Sequence, residues 1–312
     1  MASLRVLARL LLLAVRKNRW EHVHSAADKF QPRARKVATK AFARAKAKIP
    51  QAALQLALKA GDVARVESII DGALKEFDRA FRKPFTEVLT KVQGAAGTAA
   101  AERLNNSKRA LSGVDALLDE LNSDADGLDE DAKDLLNDEP DATTVLAGHP
   151  RMAAPKIKGF AFDKTNPQAK EWVDEHVGEL IDDMSRTTRE RVKSLVERTV
   201  DGEFDTHDLA DKITELIGDE SRAETIARTE TMAASNGGQR EAWAQAVDDG
   251  LLNGDEEEEW ITTPDDKTCP ICQPMDGEKK PLGGKFNVDG AQIDGPPAHP
   301  RCRCTTGLAL KN

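Results

Sequence analysis

The sequence predicts a mainly α-helical protein with a small α+β region at its C-terminal end. Apolar residues recur at three- to four-residue spacing along much of the chain, which is typical of helices that bury one face. Aromatic residues make up only 4% of the 312 residues, and all four cysteines follow residue 268. We therefore expect an extended helical N-terminal half and a C-terminal tail that cysteine and histidine side chains hold together.

Charge is distributed unevenly along the chain, although the formal net charge is −9. Residues 1–60 contain 14 Lys and Arg against two acidic residues, and residues 115–141 contain 12 Asp and Glu against Lys133 alone. The basic region is expected to contact DNA or an acidic protein surface, and a solvated helix face is the alternative.

Composition also divides the chain into domains. Residues 1–138 form a basic helical N-terminal region that ends in the acidic segment. Residues 139–158 are rich in Pro, Ala, Gly and Thr without periodicity, which indicates a linker. Residues 159–312 then form the second domain, with the Cys/His cluster at 269–304.

The apolar run at residues 10–15 does not satisfy the pattern of a signal peptide. Arg5 and Arg9 interrupt the apolar stretch before it, and cations follow it directly. The run is also shorter than the roughly 18 apolar residues that a membrane span requires. We expect no export signal and no membrane span, and hence a reducing compartment in which clustered cysteines bind metal more often than they form disulfides.

Two helical patterns stand out in the N-terminal half. Between Ala34 and Lys48 a cation recurs at every fourth residue, which places four of them on one helix face: Lys36, Lys40, Arg44 and Lys48. Asp62 is predicted to cap a second helix, which Pro84 ends. A short amphipathic segment from Phe85 to Val92 follows.

Four helices and a strand are predicted after the linker. Asn166 and Pro167 begin a long helix that Asp201 and Gly202 end, and a second helix covers Asp208 to Ile217. The third runs from Ser221 to the pair Gly237 and Gly238, and a fourth contains Trp243. Alternation from Trp260 to Thr263 predicts a short strand, and the acidic residues 255–259 before it are interpreted as solvated charge.

The C-terminal tail concentrates five metal-ligand side chains: Cys269, Cys272, His299, Cys302 and Cys304. A Cys-x-x-Cys turn and a second cluster about 30 residues later can supply four ligands to a tetrahedral ion, so we predict a structural zinc. Disulfides and free or redox thiols remain alternatives. The other histidines lack ligand spacing and are interpreted as surface or linker residues: His22, His24, His149, His176 and His207.

No catalytic or cofactor-binding residues are predicted. A zinc deaminase needs His-x-Glu upstream of its cysteines, whereas His299 lies downstream, and no βαβ pattern precedes Cys269 to support a thioredoxin-like site. A metal-dependent nuclease or other hydrolase acting on DNA remains the alternative function, with His299 beside Asp276 or Asp294.

An ordered series of motifs runs through the second half: Ala227-Arg228-Thr229-Glu230, Ala234, Asn236, Gly237, Trp260, Asp265, Cys269-x-x-Cys272, Asp276-Gly277 and His299-Pro300-x-Cys302-x-Cys304. Over residues 160–308 the chain resembles the phage Mu F-like head morphogenesis family, the minor head proteins of tailed bacteriophages. The resemblance implies a non-enzymatic minor capsid protein that acts in procapsid assembly at the portal vertex. It also implies contact with the portal protein, a scaffold or major capsid protein and packaged DNA, and a location in the virion after assembly in the host cytoplasm.

Overall fold

The computed structural model describes residues 2–125, 159–200, 205–263, 265 and 268–309. The described residues form six helices: α1 (Ala2–Ala47), α2 (Gln51–Ala60), α3 (Val63–Ala125), α4 (Pro167–Val200), α5 (Thr206–Ile217) and α6 (Ser221–Asp248). Short antiparallel strands follow α6. The predicted fold class, mainly α with a small C-terminal α+β region, is confirmed. The predicted linker, residues 139–158, lies outside the described residues.

The first helix presents a small apolar face and a basic face. Four alanines are buried at three- to four-residue spacing: Ala34, Ala38, Ala41 and Ala45. Their short side chains let α3 and α6 approach α1 closely. The four predicted cations, Lys36 to Lys48, are exposed on the other side. The helix begins at Ala2, so the segment with the regular cation spacing is only its C-terminal part.

The prediction that Pro84 ends a helix is wrong, because α3 continues through it to Ala125. Proline inside a helix costs about 3 kcal/mol relative to alanine. Three buried aromatic rings, Phe77, Phe81 and Phe85, stack along the helix around this position at centroid distances of 5.0 and 4.2 Å. Burying each ring stabilises the fold by about 1.5–3 kcal/mol, so their packing offsets the cost of the proline.

Side-chain caps fix the helix starts that the sequence indicates. The side chain of Asp62 accepts a hydrogen bond from the backbone of Arg65 at 3.0 Å, and Asn166 accepts one from Gln168 at 2.9 Å. Helix α5 begins two residues before its predicted start because Asp205 caps it. Helix α4 ends at Val200, and the predicted break at 201–202 lies outside the described residues.

The predicted end at Gly237 and Gly238 is also wrong, because α6 runs through both glycines to Asp248. A Cβ atom at Gly238 would lie 2.8 Å from the Cα atom of Gln93 on α3. Glycine at this position therefore permits backbone contact between two helices, and that contact outweighs its helix cost of about 1 kcal/mol.

The strands form two small antiparallel sheets: β1 (Glu257–Ile261), β2 (Lys279–Pro281), β3 (Phe286–Val288), β4 (Ala291–Ile293) and β5 (Thr305–Ala309). Strand β1 lies between β2 and β5, and β3 pairs with β4. The predicted strand at Trp260 therefore exists, although it begins three residues earlier and ends before Thr263.

The interpretation of residues 255–259 as solvated charge is wrong for two glutamates. Glu256 and Glu258 are buried, and Glu258 is fully inaccessible. Lys280 lies opposite Glu258 in the β1–β2 pair, with Nζ 2.9 Å from Oε2. Lys280 also donates hydrogen bonds to the carbonyls of Gly284 and Asp294. A cross-strand ion pair thus replaces the expected solvation.

Helices from both sides of the predicted linker share the main core. Apolar side chains of all six helices contribute to it, and α1, α3 and α6 pack against one another. A separate small core surrounds the cysteines and includes Trp260, Met275, Phe286 and Val288. Among the residues that the structure describes, no helix is both long and apolar enough to span a bilayer.

Candidate metal centre

The first two cysteines lie on a tight turn between β1 and β2. The backbone amide of Cys272 donates to the Cys269 carbonyl at 3.1 Å, and a short 3-10 helix, Gln273–Met275, follows directly. The same amide also points at the Cys269 sulfur, at 3.3 Å. An amide that donates to a sulfur stabilises its thiolate form, so this turn prepares Cys269 as a metal ligand.

A second turn brings His299 and Cys302 to the same place. The amide of Cys302 donates to the His299 carbonyl at 3.1 Å, and Arg301 has a φ of 64°, which is unusual for a side chain other than glycine. Two threonines of α6 hold this residue: Thr229 Oγ1 accepts from its backbone amide and Thr225 Oγ1 from its guanidinium. The turn is therefore fixed against the helical body.

The ligand atoms of the five predicted residues converge. The Nε2 atom of His299 lies 3.0 Å from the sulfur of Cys269 and 3.2 Å from that of Cys272. The sulfurs of Cys272 and Cys302 are 3.7 Å apart. Cys304 joins Cys272 and Cys302 in a group whose ligand atoms all lie within 4.8 Å of one another. The cluster is therefore close enough to hold a metal ion.

These distances fit a tetrahedral ion better than a disulfide. All four cysteines are free, and 3.7 Å far exceeds the roughly 2.05 Å of an S–S bond. With ordinary zinc bond lengths, two sulfur ligands lie about 3.8 Å apart, and a sulfur lies about 3.6 Å from a nitrogen ligand. The S–S distance meets this value, and the S–N distances are about half an ångström shorter.

The electrostatics of the thiols also favour a cation. Hydrogen bonds from the side chains of Cys272 and Cys304 lower the pKa of Cys302 to about 2. The same contact with Cys302 raises the pKa of Cys272 far above its ordinary value. One thiolate therefore suppresses the ionisation of its neighbour, and a dication in the cluster would remove that repulsion.

The carboxylates of the predicted nuclease alternative lie elsewhere. Asp276 Oδ1 accepts hydrogen bonds from the amide and hydroxyl of Thr262, at 3.0 and 2.8 Å. The Asp294 carboxylate lies 3.9 Å from Lys285 Nζ. In the described part of the chain, the candidate metal-ligand groups contain cysteine and histidine but no carboxylate. The structure thus does not assemble His299 with either aspartate.

One histidine predicted to lie on the surface instead contacts the cluster. His24 is 8% exposed and stacks on Trp20. The carbonyl of Arg303, between two cysteines of the cluster, accepts from Trp20 Nε1 at 3.0 Å and lies 2.8 Å from His24 Nε2. Burial lowers the pKa of His24, so the neutral ring donates through Nε2. Sequence spacing could not reveal this contact, since about 280 residues separate the partners.

A second histidine, His176 on α4, also departs from the surface interpretation. It stacks on Trp172, and its Nε2 atom lies 2.5 Å from a carboxylate oxygen of Glu230 on α6. Burial opposes its protonation, but the hydrogen bond to Glu230 and the charges of Glu230 and Glu179 together raise the pKa of His176. In the sequence, the four-residue spacing of Trp172 and His176 is the signal from which their stacking could have been predicted. His207 is exposed, as predicted, whereas His149 and the side chain of His22 lie outside the described residues.

Comparison with known proteins identifies one region of the chain. Residues 181–307 match a protein family described as Phage Mu protein F like protein. The matched segment runs from within α4 to within β5 and contains all five residues of the cluster. Neither the curated proteins nor the solved structures yielded a significant match.

Proposed function

We propose that the protein is a minor capsid protein of a tailed bacteriophage and acts in head morphogenesis, because residues 181–307 match the Phage Mu protein F like family. The family match is the observation that carries this proposal. We place the protein at the portal vertex during procapsid assembly, in contact with the portal protein and with a scaffold or major capsid protein. It would then stay in the virion, inside the capsid or at the portal vertex, after assembly in the host cytoplasm.

A deletion in the encoding phage tests this role. A stop codon early in the gene is expected to reduce the number of DNA-filled heads in electron micrographs, and the gene supplied in trans should restore them. Mass spectrometry of purified wild-type particles should find the protein in the head. Normal heads without the protein, or purified particles that lack it, would contradict the proposal.

We assign the Cys/His cluster a structural role, as a zinc site that holds the tail together. The strands of this region have three to five residues each, and their core is small. Such a region gains little from apolar burial, so metal–ligand bonds would supply the missing stabilisation. When bound, the zinc ion would cross-link two turns that lie about 30 residues apart.

The exposed basic face of α1 supports contact with packaged DNA. Its cations span about 18 Å along the helix, and none of the four forms an ion pair with another described residue. If each contacts one phosphate, the logarithm of the binding constant should fall with the logarithm of the salt concentration, with a slope of about −0.9 per contact.

A pair of matched variants tests the DNA contact. Lys36→Gln/Lys40→Gln should lower the magnitude of the salt slope by about 2 relative to the wild type, since two phosphate contacts are lost. Lys75→Gln/Lys83→Gln removes two exposed cations of α3 and should leave the slope unchanged. Equal slopes in the two variants, or DNA binding that is insensitive to salt, would reject the basic face as the contact.

The alternative, a nuclease or other hydrolase acting on phage DNA, gains no support from the described site, where cysteine and histidine meet without a carboxylate. The family is consistent with a non-enzymatic role. Plasmid DNA incubated with magnesium or zinc and either wild type or His299→Ala should stay intact. Cleavage by the wild type that the variant loses would favour the enzyme instead.

A further inference from the structure

The five candidate ligands form two overlapping groups, which share Cys272, whereas a structural zinc ion takes four ligands. One group contains Cys269, Cys272 and His299, and the other contains Cys272, Cys302 and Cys304. We infer that the ion is held by Cys269, Cys272, His299 and Cys302, and that Cys304 is a hydrogen-bonding thiol beside the site rather than a ligand. This inference deepens the metal-binding role proposed above and rests on it.

The four assigned ligands occupy equivalent positions in two similar turns. Cys269-Pro270-Ile271-Cys272 and His299-Pro300-Arg301-Cys302 both carry proline at the second position. In each turn the amide of the last residue donates to the carbonyl of the first at 3.1 Å. Each turn therefore presents its first and last side chains on the same side, and two such turns facing each other supply four ligands.

Neighbouring groups already hold the first three ligands in a binding form. The Cys269 sulfur accepts the amide of Cys272 at 3.3 Å. The His299 Nδ1 atom lies 2.9 Å from the Pro300 carbonyl, to which it donates, so its hydrogen is on Nδ1 and the Nε2 lone pair is free. The Nε2 atom lies 3.0 Å from the sulfur of Cys269 and 3.2 Å from that of Cys272.

Cys302 completes this set because it ends the second turn and its sulfur lies 3.7 Å from that of Cys272. Cys304 lies outside both turns, immediately before β5. In extended backbone, side chains two residues apart point to the same side, so its position near the cluster follows from the chain path. The carbonyl of Cys304 accepts from Asn236 Nδ2 at 3.3 Å, which ties it to α6 instead.

A buried indole gives Cys304 a separate role. Trp260 is fully buried, and its Nε1 atom has no hydrogen-bond partner of ordinary geometry. Trp260 and Cys304 belong to the same small buried core. A sulfur is an adequate acceptor for an indole N–H in an apolar core, where an unpaired donor would cost about 1–3 kcal/mol. Within this proposal, the Cys304 sulfur is the acceptor for the indole N–H group.

Cobalt(II) binding to the full chain tests whether Cys302 or Cys304 is a metal ligand. Wild type and Cys304→Ser should each bind one equivalent of metal, measured by plasma mass spectrometry after gel filtration, with the same sulfur-to-cobalt charge-transfer intensity. Cys302→Ser should lose the metal or at least one third of that intensity, since one of three thiolates is gone. Cys302→His should recover one equivalent with the weaker spectrum of two thiolates. Far-UV circular dichroism confirms that each variant keeps its helices.

Two kinds of result would contradict the assignment. Loss of metal in Cys304→Ser, with Cys304→Ala behaving alike, would overturn the assignment, as would full retention in Cys302→Ser. If the refolded wild type binds neither zinc nor cobalt, the metal-binding role itself fails, and this inference fails with it. X-ray absorption of the zinc-loaded wild type should independently show three sulfurs and one nitrogen, and four sulfurs would exclude His299.

Discussion

His24 is a buried imidazole that binds the chain next to the cysteine cluster. Its neutral ring donates to the Arg303 carbonyl, and the charges around it are Asp28, which favours protonation, and Arg303 and Arg228, which oppose it. Burial dominates and lowers its pKa in the folded protein, whereas the unfolded chain takes up the proton near pH 6.5. Acidification through this window therefore favours the unfolded state.

His24→Gln tests this coupling, because the glutamine amide keeps a donor for the Arg303 carbonyl but does not titrate. Between pH 7 and pH 5 the unfolding free energy of the wild type should fall more steeply than that of the variant, by up to about 1.4 kcal/mol per pH unit. Urea denaturation at several pH values measures both. The cysteine cluster titrates equally in the two proteins, so it cancels in the difference. Parallel pH profiles would show that His24 does not contribute.

The Glu258–Lys280 ion pair is a second buried charge, at exposures of 0% and 5%. Lys280→Met leaves the carboxylate without its cation and should cost about 3–5 kcal/mol of unfolding free energy. Glu258→Leu/Lys280→Met removes both charges and should recover most of that loss. Chemical denaturation of the three proteins provides the comparison. A double variant as unstable as the single one would mean that packing, and not charge, dominates there.

At the level of helices, alanine substitution of the two adjacent glycines on α6 should change stability in opposite directions. A methyl group at Gly238 would overlap the backbone of Gln93, so Gly238→Ala should destabilise the protein by about 1–3 kcal/mol or more. A methyl group at Gly237 would lie 3.5 Å from the ring of Trp172, an ordinary contact. Gly237→Ala should therefore be neutral or stabilise by up to about 1 kcal/mol. Thermal unfolding of both variants decides, and equal effects would contradict the close crossing of α3 and α6.

Helix identity could be predicted from the sequence better than helix ends. Apolar spacing and the Asp62 and Asn166 caps are local signals, and they located α3 and α4 correctly. Pro84 and Gly238 are local stop signals too, but aromatic stacking and a backbone crossing override them. Such contacts join residues distant in sequence, which a pattern within one segment does not contain.

The same limit applies to the candidate site. The spacing of the cysteine and histidine residues was sufficient to predict that they converge, because Cys269 and Cys272 lie within one turn and His299 and Cys302 within another. The sequence could not predict that Trp20 and His24 contact Arg303, or that the indole of Trp260 lies in the core of the cluster. Their partners lie on other elements, and only the assembled fold brings them together.

For the whole molecule, metal removal should increase hydrogen exchange in the tail but not in the helical body. Chelation should increase hydrogen exchange in residues 257–309, while the core of α3, α4 and α6 stays protected, because that core consists of apolar side chains. Residues 20–27 of α1 should also lose protection, since Trp20 and His24 bind the Arg303 carbonyl.

Exchange is measured by mass spectrometry with and without chelator, each in the presence and absence of reductant. Cys302→Ser should resemble the chelated wild type without any chelator. If chelator has no effect and reductant alone loosens the tail, disulfides rather than a metal hold residues 257–309.

The division at residues 139–158 stays a prediction, but the shared core has a consequence for biosynthesis. The ribosome releases α1 and α3 long before it has made α6, against which both pack. Until then the faces of α1 and α3 that α6 covers in the fold are exposed to solvent and to other nascent chains. The protein should therefore depend on chaperones while it is synthesised. Its slowest folding step should be the packing of α6 against α1 and α3.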